Sequence, residues 1–79
     1  MSNNIIENFE KASGRSFNSF YEEVKDMLNV NFDPLLSDEE NYENRSQLVQ
    51  EFVAALLGTD YSQMNELSSY CVNKYYSED

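Results

Sequence analysis

Apolar residues recur at helical spacing along four stretches of the chain. The pattern is clearest in residues 16–29, where it follows i, i+3, i+4 and i+7, as in a helix with one buried stripe. The apolar members there are Phe17, Phe20, Tyr21, Val24, Met27 and Leu28. Similar spacing predicts helices over residues 3–13, 37–57 and 60–76, and no stretch alternates as a strand does. We therefore predict an all-α fold, a small antiparallel bundle of about four helices in one domain covering residues 1–79.

The predicted helix 37–57 carries the strongest end signals. Ser37 and Glu40 have the spacing of a capping box, and Gly58 follows as a helix stop. One face of the helix collects Tyr42, Val49, Phe52, Val53 and Leu56. Arg45 falls inside this apolar stripe. Because arginine is rarely buried unpaired, we interpret Arg45 as a partly buried member of a structural ion pair.

The ends of two other helices are marked by side chains that favour caps and turns. Ser16 or Ser19 can cap the second helix, and the segment NVNFDP at residues 29–34 ends it, since proline disfavours helix for the residue before it. Asp60 and Gln63 have the spacing of a capping-box pair, which predicts the start of the fourth helix at residue 60.

Acidic residues dominate the charge. Fifteen Asp and Glu oppose five Lys and Arg, histidine is absent, and the formal charge is −10. This balance argues against direct binding to nucleic acid, whose phosphates need basic side chains, and against an anionic membrane surface. It favours a basic partner protein, because fields of one sign steer association with the opposite sign. The alternative is that the acidic residues serve solubility alone.

Cys71 is the single cysteine, so no internal disulfide can form and a reducing compartment fits best. Its place in an apolar stripe predicts a buried small hydrophobe rather than a reactive thiol. The first residues lack the basic region and apolar core of a signal peptide, and no apolar run approaches the ~20 residues that span a bilayer. We expect a cytoplasmic protein, in the host cytoplasm if a phage encodes it.

Catalytic chemistry has little support. Without histidine, the commonest general base and metal ligand are missing, and the two glycines are isolated rather than clustered in a phosphate-binding loop. The acidic run at residues 33–43 has no glycine and fails the calcium-loop template. A bundle of this size is expected to lack room for a ligand pocket of about 300 Å³ or more. We expect no enzyme, no cofactor and no metal site.

Two groups of acidic residues are candidates for binding a partner. The first group comprises Asp38, Glu39, Glu40, Glu43 and Glu51, and the second comprises Glu22, Glu23 and Asp26. Capping and the helix dipole explain the first three residues of the first group, but they do not explain Glu43 and Glu51 further along the outer face. Side chains at i, i+3 and i+4 lie about 5–6 Å apart, a spacing comparable to one phosphate per about 3.4 Å of a DNA strand. Tyr70, predicted on the polar face of the last helix, is a further candidate.

In size, charge and predicted helicity, the chain resembles the small acidic inhibitors of phages and toxin–immunity systems, including anti-CRISPR and DNA-mimic proteins. The resemblance implies a stoichiometric inhibitor that occupies a basic, nucleic-acid-binding surface of a nuclease or nucleoprotein complex. The alternative is a helical adaptor or a homodimerising regulatory module. Leu36, Leu48, Tyr70 or Tyr76 would then form its interface.

Overall fold

Four α-helices make up the fold in the computed structural model, which describes residues 3–78. They are α1 (Asn3–Ser13), α2 (Phe17–Val30), α3 (Asp38–Leu57) and α4 (Met64–Ser77), and no β-strand occurs in this part of the chain. The predicted all-α bundle of about four helices is confirmed. None of the helices described is both long and apolar enough to cross a bilayer.

A tight connection joins α1 to α2. Gly14 takes a φ of +72° directly after α1, a conformation that costs glycine little. The Ser16 hydroxyl accepts a hydrogen bond from the Ser19 N–H at 3.2 Å, so Ser16 is the N-cap and Ser19 lies inside the helix. The Glu10 carboxylate accepts from the Phe17 N–H at 2.7 Å, which ties α1 to the first turn of α2.

The start of α4 differs from the prediction. After Gly58, which has a φ of +91°, the backbone makes two successive turns instead of entering a helix. In these turns the Tyr61 N–H donates to the Gly58 carbonyl and the Met64 N–H to the Tyr61 carbonyl. Gln63 is the N-cap without a side-chain hydrogen bond, so the predicted Asp60–Gln63 capping box is wrong. The turns satisfy the backbone without it, and α4 begins at Met64.

A single core lies between the helices. Its fully buried members include Phe9, Phe20, Val24, Leu28, Val49, Val53, Leu67, Cys71 and Val72. The Phe20 ring lies 4.4 Å from Phe9 and stacks at 5.1 Å on Phe52, which joins α1, α2 and α3. The most extensive helix pair is α3 with α4, and the backbones of α2 and α3 scarcely meet. Because α2 and α3 make so few backbone contacts, an open space remains beside the loop that joins them.

Candidate partner-binding surface

The first turn of α3 is acidic and tightly capped. The Ser37 hydroxyl accepts from the Glu40 N–H at 3.1 Å, while the Glu40 carboxylate accepts from the Ser37 N–H at 3.0 Å. The predicted capping box is therefore confirmed. Asp38 and Glu39 occupy the same turn, where negative charge stabilises the helix dipole. Part of the acidity of this segment therefore serves the helix itself.

Beyond the first turn, an acidic stripe follows the solvent side of α3. Helical spacing places Glu40, Glu43 and Glu51 opposite the buried Val49, and all three side chains are exposed. We call these three residues the α3 acidic stripe. The Glu51 carboxylate accepts a hydrogen bond from Gln47 at 3.3 Å. Among residues 3–78, no Lys or Arg nitrogen lies within 4.0 Å of the stripe's carboxylates.

The acidic residues of α2 have closer counter-charges. Glu23 pairs with Arg15 at 2.7 Å, and Glu22 pairs with Lys25 at 3.2 Å. Such exposed pairs contribute little stability, but they offset the local charge. Of the three acidic residues predicted on α2, Asp26 alone has no ion pair within the described chain. The α2 group therefore presents less uncompensated charge than the α3 acidic stripe.

Tyr70 does not lie on an open polar face as predicted. Its ring is half-buried and packs against Phe17, with the ring centroids 5.8 Å apart. The prediction assumed one buried stripe on the last helix. In the fold, α4 contacts α1, α2 and α3, so a second flank is covered as well. Tyr70 is therefore part of the core margin.

Three exposed apolar side chains on and beside the α2–α3 loop were not predicted. Val30 is 79% exposed, Phe32 is 50% exposed and Leu35 is 92% exposed. In the sequence, this segment was interpreted only as a helix stop. The sequence does contain a signal: these three apolar residues lie after the apolar stripe of α2 ends and before the apolar stripe of α3 begins. Exposed apolar side chains that form a contiguous patch mark interaction surfaces.

Beside this loop lies an open groove of about 590 Å³, between the loop and one side of α3. Leu36 and Leu48, both half-buried, contribute to its apolar lining. Its other lining residues are Val30, Asn31, Phe32, Asp33, Pro34, Asn41, Asn44 and Gln47. We call it the α2–α3 groove. The expectation that so small a bundle has no pocket-sized space is wrong, because the backbones of α2 and α3 scarcely meet and the space lies at the surface rather than inside the core.

The loop that borders the groove is held in place by Asn41. This side chain is only 2% exposed, and its oxygen accepts from the Asp33 N–H at 3.0 Å. Its amide group donates to the Asp33 carbonyl at 2.9 Å and to the Ser37 carbonyl at 3.2 Å. The Asp33 carboxylate in turn accepts from the Leu35 N–H at 2.9 Å, which closes a local turn. Phe32 and Leu35 are therefore carried on an ordered loop, and Val30 ends the helix before it.

Arg45 also anchors the loop, but not through the predicted ion pair. It is 7% exposed, and among residues 3–78 no carboxylate lies within ion-pair distance. Its guanidinium donates to the Asn31 carbonyl at 3.3 Å and to the Tyr76 hydroxyl at 3.1 Å. The same group lies 5.2 Å from the Phe32 and Tyr75 ring centroids and 5.5 Å from that of Tyr76. Cation–π contacts and neutral oxygens take the place of a carboxylate.

Chemistry elsewhere in the described chain is sparse. Within residues 3–78, no three Asp, Glu or Cys side chains are grouped so that they could hold a metal ion. Cys71 is fully buried, as predicted, and this burial raises the pKa of its thiol to about 12. At neutral pH the sulfur is therefore a protonated thiol inside the core.

Comparison with known proteins gave no match to any family model, curated protein or solved structure.

Proposed function

We propose that this protein is a small acidic inhibitor that binds a basic, nucleic-acid-binding surface of a partner protein. The α3 acidic stripe carries the proposal, because Glu40, Glu43 and Glu51 are exposed and have no basic partner within the described chain. The net charge of −10 adds a long-range field of the same sign.

The density of charge along α3 supports this choice of partner. Five carboxylates, from Asp38 to Glu51, lie within about 20 Å of helix axis at about 1.5 Å per residue. One strand of duplex DNA carries about six phosphates over the same length. A surface that has Lys and Arg arranged to contact phosphates can therefore pair them with carboxylates of α3.

Inhibition would follow from occupancy. While the domain is bound, the partner's basic side chains are paired with carboxylates and their access to phosphate is blocked. The attraction between exposed charges weakens as salt rises, since the Debye length falls from about 10 Å at 0.1 M to about 3 Å at 1 M. The complex is therefore expected to weaken as salt rises, and binding is expected to compete with nucleic acid.

A capture experiment with two triple variants tests the proposal. The first variant, Glu40→Gln/Glu43→Gln/Glu51→Gln, removes the stripe and keeps the capping box, in which glutamine also functions. The control, Glu7→Gln/Asp60→Asn/Glu66→Gln, removes the same charge from exposed positions outside α3. Immobilised protein is incubated with cell lysate, either treated or untreated with nuclease.

We expect the wild type and the control variant to retain nucleic-acid-binding proteins from both lysates, and added oligonucleotide to elute them. The stripe variant is expected to lose them. Equal retention by the stripe variant, or capture only where cellular nucleic acid is intact, would contradict the proposal.

A further inference from the structure

The α2–α3 groove combines exposed apolar area with an acidic rim. Val30 and Phe32 line it, and Leu35 lies on the same loop, 92% exposed. Val30, at the end of α2, and Leu35, on the loop ordered by Asn41, face solvent and give the folded domain no packing benefit that the structure records. Apolar side chains become favourable contributors when a partner covers them.

Four acidic residues either line the groove or lie one helical turn from a residue that lines it. Asp33 lines the groove, and Asp26 lies one helical turn before Val30 on the same face of α2. On α3, Asn44 and Gln47 line the groove. Glu40 lies one helical turn before Asn44, and Glu51 lies one helical turn after Gln47. We call Asp26, Asp33, Glu40 and Glu51 the groove rim.

No ion pair within residues 3–78 neutralises the groove rim. Arg45, the basic residue nearest this loop in the recorded contacts, is buried behind the Phe32 ring rather than at the surface. An apolar centre with charged surroundings of one sign is complementary to an apolar side chain with flanking charges of the opposite sign.

We propose that the α2–α3 groove is the specificity site of this protein and binds an amphipathic basic segment of the partner. One or more apolar side chains of that segment lie against Val30, Phe32 and Leu35, and its Lys or Arg side chains pair with the groove rim. The inference rests on the proposed function and adds to it an apolar anchor, so that the binding has a part that salt does not weaken.

Three designed peptides serve as the probe. The first is a short amphipathic helix of Leu and Lys, with leucines at i, i+3, i+4 and i+7. The second has the same composition in scrambled order, and the third replaces every Leu by Gln and keeps the lysines. Each peptide is titrated into the full-length, ¹⁵N-labelled protein, and amide shifts and affinity are recorded at low and high salt.

We expect the amphipathic peptide to bind most tightly and to shift the amides of Val30, Phe32 and Leu48. The variant Val30→Ser/Leu35→Ser changes two exposed side chains and keeps all charges. It should weaken binding of this peptide by roughly tenfold if one of the two side chains is buried on binding and roughly a hundredfold if both are, because each contributes a factor of about ten. The control variant Leu56→Ser, at the far end of α3, should bind as the wild type does. Melting curves of both variants confirm that they are folded.

Three results would overturn the inference. They are equal affinity for the scrambled peptide, amide shifts away from the groove, and unchanged affinity of Val30→Ser/Leu35→Ser. If the Glu40→Gln/Glu43→Gln/Glu51→Gln variant still loses salt-dependent binding in any of these cases, the proposed function stands and the groove assignment fails. If neither the amphipathic peptide nor the peptide of Gln and Lys binds, both fail. A homodimer seen by sedimentation in the wild type and lost in Val30→Ser/Leu35→Ser would also exclude the groove as a partner site.

Discussion

Replacing the buried Asn41 by alanine should destabilise the protein strongly. The side chain makes one accepted and one donated hydrogen bond with the Asp33 backbone, at 3.0 and 2.9 Å, and a third bond to the Ser37 carbonyl at 3.2 Å. Each buried hydrogen bond contributes about 1 kcal/mol, and an unsatisfied donor left behind costs about 1–3 kcal/mol. The gain in helix propensity from Asn to Ala offsets up to about 0.7 kcal/mol. We therefore expect a net loss of roughly 2 kcal/mol.

Asn44 provides the matched control. It lies three residues further along α3, lines the same groove, is exposed, and has no side-chain hydrogen bond recorded in the described chain. Asn44→Ala gains the same propensity and should be neutral or slightly stabilising. A loss of about 2 kcal/mol in Asn41→Ala corresponds to a fall in Tm of roughly 8–16 °C for a domain of this size.

Urea and thermal unfolding of both variants, followed by circular dichroism, measure this difference. Amide exchange should also accelerate at Leu35 and Leu36 in Asn41→Ala, because the loop loses its main anchor. The reasoning is refuted if the free energies of unfolding of the two variants agree within about 0.5 kcal/mol, the size of an ordinary surface effect.

Three further predictions concern stability. Arg45→Ala should lower the free energy of unfolding in urea by roughly 2–4 kcal/mol, since it removes two charge-assisted hydrogen bonds and contacts to three rings; a loss below about 0.5 kcal/mol would contradict this. The raised pKa of Cys71, about 12 against an ordinary value of 9.0, means that its stabilising contribution is complete below pH 9 and is lost as the pH rises toward 12. Burial and the Glu78 carboxylate also raise the pKa of Tyr21. The Tm should therefore fall steadily above pH 9, and it should fall less steeply in Cys71→Ala. Equal slopes of Tm against pH in the two proteins would exclude the Cys71 contribution. Gly58→Ala should cost about 1–3 kcal/mol, because φ of +91° with ψ of 160° is a backbone conformation essentially confined to glycine. Nothing lies within 4 Å of an added Cβ, so the loss comes from backbone strain alone, and an unchanged Tm in thermal unfolding would be the contrary result.

Local sequence signals were sufficient for most of the fold. The positions of α1, α2 and α3 followed from apolar spacing and from caps such as Ser37, because these depend on residues a few positions apart. The start of α4 did not follow. Asp60 and Gln63 have capping-box spacing, but the turns after Gly58 satisfy the backbone by themselves. The spacing of Asp60 and Gln63 cannot distinguish a helix capped at residue 60 from two turns followed by a helix that begins at Met64.

The exposure of surface residues was harder to predict because it depends on which helices pack against each other. The acidic residues of α3 were predictable, since outer-face positions follow from helical periodicity. The half-burial of Tyr70 and the exposure of Leu35 depend on how α4 and the α2–α3 loop pack against other helices. Arg45 illustrates the same limit. Its burial was predicted, but its surroundings of Phe32 and Tyr76 come from two distant parts of the chain.

The most direct test of partner binding through the α3 acidic stripe is displacement of nucleic acid. A fluorescent oligonucleotide is bound to the purified captured partner, and its anisotropy is followed as this protein is added at several salt concentrations. We expect the wild type and the Glu7→Gln/Asp60→Asn/Glu66→Gln control to displace the oligonucleotide at one equivalent, with an affinity that falls as salt rises. The Glu40→Gln/Glu43→Gln/Glu51→Gln variant should displace it only weakly. Formation of a ternary complex, or equal displacement by the two triple variants, would contradict binding through the α3 acidic stripe.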